Sequence, residues 1–357
     1  MLGTTEEKVL GQKIELPSDI TLEEYRKYPA LNYSNIKCIG EEEKGVWYYK
    51  KHFIDKEPIE DDGDQTFVRR GSLIDDLLFS PEKLDTDYYI STVENRPTGK
   101  QLDFTQKLFD YTIASIDEDG TITHDFMESA QRAYDAAECK TPKFENFMKA
   151  WKDSNSNDYY DELLGSYGKT LVTVEEMNNA EKVVNKLRTN QFTKGLFTGK
   201  YAAQHPIVFE YKGFTLKGLL DMVVIDDDQK TIQPLDLKST YSVKGFPYTY
   251  LKLQYYIQQA IYETGIREWA SRYYPDYTVL PFAFLVTDSI GHKDPLIYRT
   301  NEQMLQNALS GFVCRGRFRK GLNGILSDLD FAQKNDIWRI DQEDYMSKAQ
   351  VKLWEKL

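Results

Sequence analysis

Between residues 101 and 195, apolar side chains recur at i, i+3, i+4 and i+7, a spacing that gathers them on one face of a helix. Helices are predicted there over 104–116, 128–137, 143–153 and 173–187. Thr173 stands at the N-cap position of the last, with Glu176 three residues on to close a capping box. Further along, the pattern changes to short apolar runs rich in β-branched residues. The run 219–225, the polar turn Asp226-Asp227-Asp228-Gln229-Lys230 and the run 232–237 read as a β-hairpin. A helix is predicted over 251–265, strands over 281–287 and 295–298, and helices over 301–313 and 342–357. Residues 1–100 mix short helices with an acidic loop and end in a helix around Gly71.

The hairpin carries charges that its core does not need. Asp221 lies on the first strand, while Asp236 and Lys238 lie on the second. Side chains alternate faces along a strand, so Asp236 and Lys238 point the same way and Leu237 points into the core. Two carboxylates and an ammonium therefore share a face. Hard oxygen ligands of this kind hold Mg²⁺, and a lysine beside them can orient an attacking water or stabilise a phosphorane-like transition state. In that reading Asp221 and Asp236 bind the metal, the Leu237 carbonyl adds a ligand and Lys238 positions water. The competing reading is an exposed edge strand with a solvated ion pair, which is worth little by itself.

Asp221 followed by Asp236-Leu-Lys238 at the end of the next strand resembles the core of the PD-(D/E)XK nucleases, in the RecB-like and RecE-like form that includes exodeoxyribonuclease VIII and lambda exonuclease. The resemblance implies an α/β, restriction-endonuclease-like core, with a mixed central sheet flanked by helices plus a helical insertion. Gln258-Gln-Ala-Ile-Tyr262, twenty residues after Lys238, resembles that branch's Gln-x-x-x-Tyr helix, which contacts DNA and the active site. Gln254, one turn earlier, is the alternative motif glutamine. Upstream, the segment from Arg70-Gly71-Ser72 through Asp75 to Pro81-Glu82 resembles the family's G-[ST]-x-x-H … L-x-P-E-x-F segment, with Asp75 where the family has a metal-binding histidine. An aspartate still supplies a hard oxygen, and it equally suits the first turn of a helix with no catalytic duty. Residues 29–34 resemble the start of the family's first helix more loosely. Gln204 stands where the family's preceding strand begins with glutamate, and Glu210 reads as an exposed strand residue.

Carried through, the resemblance covers about 29–90 and 195–300. It implies a metal-dependent DNA exonuclease using Mg²⁺ or Mn²⁺ on duplex ends, phage-encoded, acting in recombination or DNA processing. A single-strand annealing protein and a homo-oligomeric ring are the implied partners. The alternative is a catalytically inactive protein of the same fold that binds DNA or serves assembly. One nuclease domain over 1–357 is expected, with an N-terminal part to 100, a helical insertion over 101–195, a catalytic core over 196–300 and C-terminal helices over 301–357. No internal repeat, low-complexity tract or long linker argues otherwise.

Composition narrows the remaining options. A chain of 357 residues that is 41% hydrophobic can bury a substantial core, and no apolar run is long enough to span a membrane. The start Met-Leu-Gly-Thr-Thr-Glu-Glu lacks a signal-peptide pattern, so a cytoplasmic location is expected, in the host if phage-encoded. Cys38, Cys139 and Cys314 are isolated, too few for an iron–sulfur cluster and without zinc-knuckle spacing. The histidines at 52, 124, 205 and 292 are scattered, and no phosphate-binding P-loop is present. The net charge of −12 opposes DNA binding unless charge is locally segregated. Acids cluster at 41–43, 57–64, 117–119 and 226–228, whereas Arg315-Gly-Arg317-Phe-Arg319-Lys320 is a basic tract with an interleaved aromatic. That tract reads either as a DNA-backbone contact or as a solvated helix end. Arg315, Arg317, Arg319, Arg70, Ser239, Thr240 and Gln254 complete the candidate DNA contacts.

Overall fold

The computed structural model describes residues 12–59, 66–93, 96–119, 121–123, 125–140 and 142–350. The N-terminal heptapeptide, positions 60–64, His124 and residues 351–357 lie outside them, and the helix expected over 342–357 covers only Gln342–Met346 of the described residues. Ser72–Glu181 form one compact unit, and the chain up to Gly71 and from Lys182 onward forms the other. In chain order the described strands are β1 (Gln12–Lys13), β2 (Tyr88–Ser91), β3 (Thr170–Thr173), β4 (Lys200–Tyr211), β5 (Phe214–Asp226) and β6 (Thr231–Thr240). They continue with β7 (Thr278–Val279), β8 (Ala283–Asp288), β9 (Leu296–Arg299), β10 (Phe312–Cys314) and β11 (Arg317–Arg319).

The larger unit is built on a mixed sheet in the order β1-β4-β5-β6-β8-β9, with β7 also on β6. The β4–β5–β6 meander is antiparallel, β8 adds parallel to β6, and β9 closes antiparallel. This is the mixed α/β architecture expected from the sequence. Lys212 and Gly213, both at positive φ, make the tight β4–β5 turn, and Asp226 Oδ1 accepts from Gln229 N in the β5–β6 turn. β6 is buried without interruption from Ile232 to Leu237, and β8 along its whole length, because both faces of the sheet's centre are covered.

The helix Tyr255–Tyr273 lies against β4 and β5, and two glycines let it approach. A Cβ on Gly265 would meet Phe209 and Ile207 of β4 at 2.5–2.6 Å, and one on Gly218 of β5 would meet the Tyr262 ring at 2.7 Å. These close contacts fix the helix's rotation over the sheet. Further helices of this unit run over Glu302–Ser310 and Leu322–Asn335, and Leu305, Ala308, Ile325, Leu326 and Leu329 are buried. No helix among the described residues is long and apolar enough to cross a membrane.

The smaller unit has its own core. Helices Gly99–Ile113, Phe126–Ala136, Phe144–Lys152 and Asn155–Gly165 gather Phe104, Leu108, Ala133, Phe147, Trp151 and Tyr160. Trp151 Nε1 donates to Thr105 Oγ1 at 2.9 Å, satisfying the indole inside that core. The predicted capping box forms, with Glu176 N donating to Thr173 Oγ1 and Thr173 N to the Glu176 carboxylate.

Three local expectations need correction. The helix expected over 251–265 is two helices, Phe246–Lys252 and Tyr255–Tyr273, because Gln254 adopts a left-handed conformation at φ 55°. The helix expected over 301–313 stops at Ser310, since Gly311 takes φ 91° and turns the chain into β10. The basic tract is therefore no helix end. It is a β-hairpin whose turn residues, Arg315 and Gly316, both have positive φ.

Candidate active site

The site begins where a ladder stops. β5 and β6 pair from Asp226↔Thr231 to Met222↔Leu235, and the next rung would set Asp221 opposite Asp236. That rung is not made. Leu237 N donates instead to the Asp221 carboxylate, to Oδ2 at 2.8 Å, so a side chain replaces a backbone acceptor. The β4 side is perturbed at the same level. Between the pairs Ala203↔Met222 and His205↔Leu220, Gln204 falls opposite Asp221 and takes φ 50°, a costly conformation for a residue with a Cβ. From Asp236 to Thr240, β6 pairs with β8.

Where the strands part, a buried polar cluster gathers around Asp236, which is 1% exposed. Gln258 Nε2 donates to Asp236 Oδ1 at 2.7 Å, and the Lys238 ammonium forms an ion pair with Oδ2. The Asp221 carboxyl lies within hydrogen-bonding reach of Asp236. Burial pushes the Asp236 carboxyl above its ordinary range, against the pull of Lys238. For Lys238 burial works against the charge, but attraction from Asp236 and Asp221 outweighs it and holds the ammonium protonated. The Lys238 ammonium also sits 4.8 Å from the centroid of the Tyr255 ring. Since β6 is interior to the sheet, the reading of Asp236-Leu-Lys238 as an exposed edge is excluded.

The helix Tyr255–Tyr273 delivers the second half. Gln258 and Tyr262 stand one turn apart on the face that overlies β5, with Tyr262 seated on Gly218 and beside Gln258. Burial, then the charges of Asp236 and Asp221, push the Tyr262 phenol upward and keep it neutral. Gln254 is not one turn earlier on that helix face. It is the left-handed residue ahead of the helix, 5% exposed, with Nε2 donating to the Lys37 carbonyl and Oε1 accepting from Tyr256. Buried and bonded inward, it links the chain near Lys37 to the start of the helix.

Sequence reasoning missed three neighbours of the site. Tyr33, on the short helix Tyr33–Ile36, donates its hydroxyl to the Leu253 carbonyl and lies 6.1 Å, centroid to centroid, from Tyr255. The Lys37 ammonium lies 5.2 Å from the Tyr33 ring centroid, and its pKa is lowered by burial and, less strongly, by Lys44 and Lys238. Tyr255, three residues before Gln258, was readable only as a helix aromatic. Its functional signal is spatial, the ring beneath Lys238.

The other expected residues fall as follows. Leu237 is buried, Ser239 partly buried and Thr240 buried, all on β6 just past the break. Asp75 is partly buried on the helix Thr66–Phe79 and belongs to the smaller unit, while Arg70 lies on the same helix at the end of the larger one. Arg315 and Arg317 are exposed on the β10–β11 hairpin and Arg319 is partly buried there. Glu210 is exposed, as expected, and accepts from Thr215. His205 is a core histidine, 3% exposed, its ring against Trp269 at 4.8 Å and its pKa lowered by burial to about 4.

The donor set suits a hard divalent cation. Gln258 Oε1 is a buried acceptor with no hydrogen bond among the described residues, Asp236 Oδ2 is held by the Lys238 ammonium, and the Asp221 carboxylate stands beside Asp236. No group of three or more His, Cys, Asp and Glu side chains is gathered among the described residues. Two carboxylates with the balance of oxygens from amide, backbone and water is the pattern Mg²⁺ favours.

No protein-family model matches the chain, and no curated protein matches its sequence. Among solved structures, a protein of Eubacterium rectale provisionally described as an exonuclease aligns with 94% of this chain and 95% of its own, at 13% identity and a TM-score of 0.48. A likeness of that size identifies no family.

Proposed function

We propose that this protein is a metal-dependent deoxyribonuclease that hydrolyses phosphodiester bonds, acting as an exonuclease at duplex DNA ends. The observation that carries the reading is the meeting of Asp221, Asp236, Lys238 and Gln258 at one broken rung of the sheet. A purely structural ion pair requires neither a second carboxylate beside it nor a buried amide oxygen left without a donor, as Gln258 Oε1 is. The resemblance of these residues and of Tyr262 to the RecE-like nucleases supports the same reading, including Mg²⁺ or Mn²⁺ as the cofactor.

Asp221 and Asp236 would hold the metal, which when bound supplies charge neutralisation at the phosphate and an acidified water. The chain's own groups supply the rest. Lys238, fixed between Asp236 and the Tyr255 ring, presents a permanent positive charge to the scissile phosphate. Gln258 holds Asp236 Oδ1 while Lys238 holds Oδ2, which fixes the orientation of the carboxylate. Tyr262, kept neutral, offers a phenol donor that does not compete for the metal. Tyr33, bonded to the Leu253 carbonyl and packed near Tyr255, ties the short helix Tyr33–Ile36 to the segment that carries the ring beneath Lys238.

The test is a time course on end-labelled linear and circular duplex DNA with Mg²⁺. Degradation of the linear form, lost with chelator and in Lys238→Ala, is expected. Equal activity in the purified variant, or activity that ignores the chelator, rejects the proposal.

A further inference from the structure

Between the strand that carries Lys238 and the helix that carries Gln258, the chain makes an excursion that the fold does not explain. Residues 237–262 contain no Asp or Glu, although the protein holds 57 acids and a net charge of −12. In the same stretch stand Lys238, Lys244 and Lys252 and six tyrosines. Four of these tyrosines, Tyr250, Tyr255, Tyr256 and Tyr262, pack against other rings. The other two do not. Tyr241 is 90% exposed and Tyr248 is 62% exposed, and Lys244 and Lys252 are exposed between and after them. Among the described residues, none of these four side chains makes a hydrogen bond, ion pair or ring contact.

The backbone beneath them is held firmly. Val243 and Phe246 are buried, Ser242 Oγ accepts from Gly245 N, and Tyr298 donates its hydroxyl to the Val243 carbonyl. Phe246 stacks on Tyr255 at 5.9 Å, and Tyr255 carries Lys238 over its face. Outward-facing aromatics on an anchored, acid-free support, alternating with lysines, are the arrangement that binds unpaired bases by stacking and phosphates by charge. A duplex hides its base faces, so the tyrosines favour a single strand.

We infer that Tyr241, Lys244, Tyr248 and Lys252 form a stacking track for single-stranded DNA leading to the Lys238 site. The inference rests on the nuclease reading for its place in the reaction, but the binding itself is measurable without catalysis. Fluorescence anisotropy with a fluorescein-labelled oligothymidylate, in chelator, reads it directly. Tyr241→Ala with Tyr248→Ala should weaken binding on the order of 100-fold, while Tyr241→Phe with Tyr248→Phe should bind as the parent does. Lys244→Gln with Lys252→Gln should lower the slope of log affinity against log salt by about 1.4. Unchanged affinity in the double alanine variant overturns the track, as does equal competition by a blunt duplex. If the parent degrades no DNA yet binds oligothymidylate in a tyrosine-dependent way, the nuclease reading fails and the track stands. All four positions are at the surface, so the variants should melt with the parent, and circular dichroism checks this.

Discussion

Asp236 in the larger unit and Glu162 in the smaller are both nearly sealed from solvent, at 1% and 6% exposure, yet the chain treats them in opposite ways. Glu162 accepts from Ser91 Oγ, from the Thr92 hydroxyl and from the backbone N–H groups of Thr92 and Val93. Burial alone would raise its pKa, but those donors overcome it and the carboxyl falls below its ordinary value. Asp236 has one amide donor and one ammonium, faces a second carboxyl, and is raised. A carboxylate that serves as a clip is saturated with donors. Asp236, in the nuclease proposed above, has fewer donors and a second carboxyl beside it, as a metal ligand needs.

The comparison can be broken at four places, taken from the largest effect downward. Asp236→Asn keeps the shape of the side chain, so DNA hydrolysis should fall about 10⁴-fold while stability stays within about 1 kcal/mol. Initial rates beside a thermal melt decide this, and an early melt would make Asp236 a clip as well. Glu162→Ala strands several buried donors and should cost about 4 kcal/mol, read as a lower urea midpoint. A variant as stable as the parent would remove the contrast from the other side.

His205 supplies a buried titratable group with neither role. Its folded pKa of about 4 lies below the ordinary 6.5, so the unfolded chain takes up a proton first as the pH drops. Stability is therefore complete above about pH 6.5 and declines by about 3 kcal/mol as the pH falls to about 4. His205→Phe, which preserves a ring against Trp269, should flatten that part of the profile in denaturant titrations at stepped pH. The smallest effect is expected at Gln258, which acts through Asp236. Gln258→Ala should lower kcat about ten-fold with little change in KM, and a KM effect alone would place it in substrate binding instead.

Much of this site could be read from the chain because its geometry is local. Turn chemistry at 226–230 and the two-residue period of strands put Asp221, Asp236 and Lys238 within one hairpin, as the structure does. Gln258 and Tyr262 follow from their distance along the chain after it. What escaped depends on contacts between remote segments or on unusual backbone. Tyr33 and Lys37 reach the site from about two hundred residues upstream; the loose likeness of residues 29–34 to the family's first helix marked the segment but not the part either side chain plays. The break at Gln254 is a left-handed residue without the glycine that ordinarily signals one. Arg315-Gly316 gives such a signal, but it was masked by the helical spacing leading up to it. The Asn155–Gly165 helix opens with Asn-Ser-Asn-Asp, residues that favour turns, and is set by the Ser154 cap and its tertiary contacts.

Asp221 has one more consequence, which concerns how such a protein can change over generations. Its carboxylate keeps β5 and β6 from completing their ladder, and Gln204 opposite it carries an unfavourable backbone. A valine at 221 would let the rung close, and remove a partly buried carboxylate that faces Asp236 at the same time. The fold would become sturdier at the step that removed a proposed metal ligand. Stabilised lineages of this architecture should therefore include inactive ones, and a library selected only for heat resistance should lose this aspartate early.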